Sequence, residues 1–157
     1  MSRTKQAFTL IEILIVVIIL GILAAVVIPQ FSEASNDTRV SSVMTDLKLI
    51  RSQIQLYKAQ HNETYPATWD LLTTYTDASG NTNATYSSTY RFGPYMLRIP
   101  PNPYTGQSTV TIVNDATATV SGGDATTGWW YNLANGDVRA HVPDTTETPD
   151  ETKVNTL

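Results

Sequence analysis

The chain has 157 residues, a formal charge of -4 and 41% apolar side chains, enough for one domain of ordinary size with a core of its own. It has no cysteine, which excludes a disulfide framework and a thiolate nucleophile, and its acidic balance argues against nucleic acid as a partner. The apolar residues are unevenly placed. Residues 13–28 carry no charge and no strongly polar side chain, whereas the rest is rich in Thr, Ser, Asn, Asp and Tyr.

The first seven residues hold Arg3 and Lys5 and no acid. A strongly apolar run over residues 8–31 follows, which as a helix would be roughly 36 Å long. A bilayer core of roughly 30 Å needs about 20 such residues, so the length fits a span. Arg3 and Lys5 then set the N-terminus on the cytoplasmic side. A secretory signal would have a shorter apolar core, of about 7–15 residues, before a small-residue cleavage site. Here apolarity continues past Ala24 and Ala25 to Ile28. A plain signal anchor accounts for the whole segment except Glu12. An acid at the bilayer centre costs about 2.5–3.5 kcal/mol, less where it can reach the interface. No Lys, Arg or His lies within the span to offset that cost. A free α-amino group made by cutting before Phe8 would bring a positive charge to that depth.

On these residues the chain resembles a known family. Lys5-Gln6-Ala7-Phe8-Thr9-Leu10-Ile11-Glu12 is similar to the processing site of type IV prepilins and type II secretion pseudopilins. The resemblance implies cleavage between Ala7 and Phe8 by a prepilin peptidase and N-methylation of Phe8. It also implies an assembly role for Glu12, the fifth residue of the mature chain, paired with the amino group of Phe8 in a neighbouring copy. The family usually has Gly before the cut, and this chain has Ala7.

The next segment is amphipathic. Val40, Val43, Leu47, Ile50, Ile54 and Tyr57 recur at spacings of 3, 4, 3, 4 and 3, one stripe of a helix, with Asp46, Lys48, Arg51, Gln55 and Lys58 opposite. The stripe lasts under three heptads, which favours packing on the chain's own domain over a coiled coil. The membrane segment and the stripe are expected to form one helix from about Thr9 to His61. Gly21 and Pro29 are its weak points: Pro29 cannot donate to the Ala25 carbonyl and crowds it, so a kink or local unwinding is expected there.

Beyond the helix, Tyr65-Pro66 begins a turn and a short helix that sets Trp69 and Leu72 on the stalk. Residues 77–90 read as a polar loop. Strands are expected at 95–99, 109–113 and 116–120, the last two joined by a turn at Asn114-Asp115. Two further strands, 128–133 and 137–142, flank Asn135-Gly136, a strong hairpin signal. These give an antiparallel sheet of three to five strands. Trp129, Trp130 and Tyr131 are not expected all to face inward, which leaves one face of that strand either as a subunit contact or as surface aromatics. Residues 144–157 are acidic, Thr-rich and expected to be disordered.

The architecture expected is therefore α+β and pilin-like: a long N-terminal helix, half membrane-spanning and half amphipathic, packed on a small antiparallel sheet. Its parts are a leader (1–7), a transmembrane and filament-core helix (8–31), a stalk (32–62), a head (63–143) and a tail (144–157). Gly93-Pro94-Tyr95, Ile99-Pro100, Asn102-Pro103, Gly128-Trp129-Trp130-Tyr131-Asn132 and Asn135-Gly136-Asp137 are similar to the head of major, G-type pseudopilins. That resemblance implies a structural, non-enzymatic subunit of a periplasmic pseudopilus. Its implied partners are copies of itself, the prepilin peptidase, an inner-membrane assembly platform, minor pseudopilins and the lipid bilayer. It also implies a single pass through the inner membrane, with the head in the periplasm. A type IV pilus subunit and a solitary signal-anchored surface binding protein are the alternatives. His61 and His141 lie in different elements, so no metal site is assigned. Calcium binding is common in G-type pseudopilins. Gly122-Gly123-Asp124 and Asp137 qualify only by composition, and without clustered acids no residue is assigned to calcium.

Overall fold

The computed structural model describes residues 9–118 and 126–142. The leader, Phe8, Gly122-Gly123-Asp124 and the tail lie outside the described residues. The chain divides into two compact units, Met1–Thr38 and Arg39–Leu157.

One helix, α1 (Leu10–Gln60), runs through both units. Over Leu10–Ile28 it is apolar on every side apart from Glu12, and none of that stretch is buried. The backbone is helical at Gly21 and at Pro29, so the local unwinding expected there does not occur. Proline removes only one donor from the ladder, and the bonds on either side carry the helix past it.

In the second unit the same helix is amphipathic, and the whole predicted stripe is buried, from Val43, Ile50 and Ile54 at 0% exposure to Tyr57 at 3%. These residues form one core with Trp69, Leu71, Leu72, Met96, Trp129, Tyr131, Val138, Ala140 and Val142. The helix ends just before His61, where Asn62 and Glu63 take positive φ angles of 53° and 62°. The Glu63 N–H donates back to the Lys58 carbonyl at 3.1 Å, and the Lys58 ammonium lies 3.4 Å from the Glu63 carboxylate. His61 locks this end. Its Nδ1–H donates to the Tyr57 carbonyl (2.8 Å), and Nε2 is hydrogen-bonded with the Thr76 hydroxyl (3.0 Å).

A short helix, α2 (Asp70–Thr73), follows, and it buries Leu71 and Leu72. Strands β1 (Tyr75–Thr76) and β2 (Thr82–Asn83) make a two-stranded antiparallel ribbon inside the stretch read as a loop. Its turn is organised by Asp77, whose carboxylate accepts from the Ser79 and Asn81 amides and from the Asn81 side chain. Those bonds favour the ionised form and hold the Asp77 carboxyl below its ordinary pKa.

The second sheet has the order β3 (Val110–Val113), β4 (Trp129–Asn132), β5 (Val138–Ala140). β4 and β5 form the antiparallel hairpin expected around Asn135-Gly136, with Trp129 opposite Ala140 and Tyr131 opposite Val138. Gly136 sits at φ 75°, and a Cβ there would run into the Tyr65 ring, so the turn needs glycine twice over.

Three strand expectations are corrected. β3 pairs with β4 in parallel, so this sheet is mixed. The partner expected at 116–120 is not formed by its described residues, because Asp115 accepts from the Thr117 amide and hydroxyl and bends the chain into a turn. Residues 95–99 are not a strand either. The Tyr95 and Met96 amides both donate to the Leu72 carbonyl, and prolines on either side supply no donors for a ladder. Finally, all of Trp129, Trp130 and Tyr131 are buried, Trp130 with 5% exposure on the face opposite the other two. The central strand is covered on both faces, and its aromatics are not an exposed contact surface.

Candidate assembly site

Within the apolar stretch Leu10–Ile28 the one charged residue, Glu12, lies at the amino end. Thr9 precedes the first helical residue, and its hydroxyl oxygen accepts from the Glu12 amide at 3.3 Å. The same hydroxyl lies 3.5 Å from the Glu12 carboxylate. Thr at the cap with Glu three positions on is the capping-box pattern, in which side chains satisfy amides that the helix cannot. Thr9 is thus a site residue that the sequence reading passed over, although Thr-x-x-Glu before an apolar run was there to find it. The amino end of a helix also favours a nearby negative charge, so Glu12 is held at a place suited to an anion.

Around Glu12 lie Leu10, Ile11, Ile13 and Leu14, all more than half exposed. The apolar surface continues to Ile28, with a mean hydropathy of 3.3 over Leu10–Ile28. Among the described residues Glu12 has no cationic partner. Ala7 and Phe8 lie outside the described residues. The site is therefore an acid fixed by its own helix cap on an apolar helical stretch, none of whose residues from Leu10 to Ile28 is buried.

In the head, Arg51, Asp137 and Arg139 form one charged cluster. Arg51, placed on the outer helix face by the sequence reading, is half-buried instead. It donates to the Val138 carbonyl at 2.6 Å, and its guanidinium lies 3.9 Å from Asp137, which also pairs with Arg139 at 2.8 Å. Partial burial lowers the Arg51 pKa, and the Asp137 carboxylate acts against that shift. Asp137 thus serves the stalk–sheet joint. Among the described residues no three His, Cys, Asp or Glu side chains gather as a metal cluster.

Asn102 closes the other end of the sheet and is wholly buried. Its side-chain amide donates to the Gly128 and His141 carbonyls at 2.6 and 2.8 Å, and its oxygen accepts from the Tyr104 amide at 2.8 Å. Gly128 can approach this loop because it lacks a Cβ, which would collide with the Gln107 carbonyl.

A family profile described as the prokaryotic N-terminal methylation motif matches residues 2–28. The type II secretion system core protein G of Aeromonas hydrophila is 32% identical over 105 residues, which are 66% of this chain and 70% of that protein. The protein of the same description from Vibrio cholerae is 31% identical over 102 residues, 65% of this chain and 67% of that one. The type IV major fimbrial protein FimA of Dichelobacter nodosus is 44% identical over 55 residues, 35% of each chain. No solved structure matches the chain.

Proposed function

Because this chain belongs to the type II secretion system core protein G family, we propose that it polymerises through its N-terminal helix into a pseudopilus that drives protein export. It is a structural, pilin-like subunit with an apolar anchoring helix. The likeness to core protein G reaches across two thirds of the chain and that to FimA across one third, which favours the secretion filament over a pilus. In our reading the N-terminus starts in the cytoplasm and the head in the periplasm. A prepilin peptidase cuts before Phe8 and methylates it, and a membrane platform then moves the anchor out of the bilayer into the filament. Minor pseudopilins join the same filament.

The observation that carries this reading is Glu12, without a cationic partner among the described residues, at the capped end of an exposed apolar stretch of helix. In lipid the unpaired carboxylate is costly, and an adjacent cation removes much of that cost. The new amino group of Phe8 remains a cation after one methylation. Glu12 of an arriving copy facing Phe8 of a copy already in place would lower the energy only at one axial offset. The pair then sets register, while the apolar sides supply the adhesion. Thr9 holds the carboxylate at the helix end where that amine arrives.

Mass spectrometry of the mature protein should find a chain that starts at Phe8 and carries one added methyl. A Met1 or Ser2 start would favour the plain anchor. Glu12→Ala should leave membrane insertion and head stability intact while lowering filament yield roughly tenfold or more. Filaments at the parent yield would refute the pairing.

A further inference from the structure

We propose that the outer edge of β3 and the hollow beside it form a docking site for an extended, acidic segment of a second protein, which adds to the sheet as a further strand.

Among the described residues β3 has a strand on one side only. The carbonyls of Thr109 and Val113 accept from the amides of Trp129 and Leu133. In a parallel ladder this alternation turns the peptide groups of residues 109, 111 and 113 toward β4 and those of Val110 and Ile112 outward. Among the described residues neither outward peptide group has a partner. The edge is also unguarded. Residues 108–113 are Ser-Thr-Val-Thr-Ile-Val, with no Lys, no Pro and no acid to repel a strand.

At the start of this edge lies an open hollow of about 470 Å³ lined by Thr73, Leu97, Arg98, Ile99, Ser108 and Thr109. Leu97 is 95% exposed, although it is a large aliphatic residue in a head whose other leucines past the helix are at least half-buried. Arg98 is exposed beside it and has no ion-pair partner among the described residues.

These features define the occupant. Unpaired main-chain groups at alternate residues demand an extended backbone, as in other strand-addition sites. Leu97 in the hollow and the part-exposed Ile112 on the strand offer apolar contact, and Arg98 selects an acid near the segment's end. A second copy fits less well. β3 set against β3 is a self-complementary contact that closes a two-fold pair, whereas filament growth needs head-to-tail contacts.

The test uses the full chain in detergent micelles and two fluorescein-labelled peptides, Glu-Val-Thr-Val-Thr-Val and its variant with Lys in place of Glu. The acidic peptide should bind saturably and more tightly than the basic one, and amide exchange at Val110 and Ile112 should slow roughly tenfold or more. Ile112→Pro removes an outward donor without touching a bond to β4 and should weaken binding roughly tenfold. Arg98→Glu alters an exposed side chain with no bond of its own and should reverse the preference between the peptides, so the result does not hang on whether the proline variant folds. Failure of both peptides to bind, or binding indifferent to Arg98→Glu, would overturn the proposal. So would self-association of the chain that Ile112→Pro abolishes, which would assign the edge to a second copy. None of these outcomes bears on Glu12 or on filament yield.

Discussion

The two stretches of α1 are both apolar, and their surroundings differ completely. Along Leu10–Ile28 every residue is exposed, and the apolar side chains point all round the helix. From Val40 to Tyr57 one apolar stripe is buried at 0–3% exposure, while Leu49 and Leu56, off that stripe, are 45% exposed. A helix apolar on one side can satisfy itself against a sheet, whereas one apolar on all sides needs lipid or other helices. The second stretch has its partner in the head, and none of the first is buried among the described residues.

Paired substitutions would break this contrast if it is wrong. Ile50→Ala empties a fully buried site and should cost about 2–5 kcal/mol in a denaturant titration of the head. Ile18→Ala, on the exposed stretch, should leave that titration unchanged; a comparable loss would mean that the two units share a core. Asn102→Ala removes the buried side-chain amide that donates to the Gly128 and His141 carbonyls and should cost about 1–3 kcal/mol, with no effect on membrane insertion. The smallest effect is alkaline. Burial raises the phenol pKa of Tyr57 and Tyr131, and that of Tyr95 to about 12. A phenol pKa higher in the folded state contributes stability that is intact below its unfolded value of about 10 and lost as pH rises through the folded value. The head's unfolding midpoint should therefore be flat to about pH 10 and fall above it, in step with tyrosinate absorbance. A midpoint that already falls from neutral pH would assign the loss to other groups.

Local signals were legible and non-local ones were not. The stalk stripe could be read from spacing alone, and all six of its residues are core. Asn135-Gly136 marked its hairpin because the turn and both strands are adjacent in the chain. The parallel pairing of β3 with β4 has no such mark. Its strands are separated by residues 114–128, and the nearer apolar run at 116–120 was the more obvious partner until Asp115 turned the chain away. β1 and β2 are two residues each, too short to show a period. At the assembly site Glu12 announced itself as an acid in an apolar run. Thr9 looked like one more small residue, because its work is a bond to the backbone and leaves no trace in hydropathy.

Asn102 has a consequence for the order of events as the chain is made. Its side chain grips carbonyls 26 and 39 positions later, at Gly128 and His141. The long helix can form as soon as its residues emerge, since its bonds span four positions. The clasp at Asn102 must wait for His141, so the head stays open at that end until most of the protein exists. A ribosome stalled before that point would hold a finished rod bearing an unlatched domain.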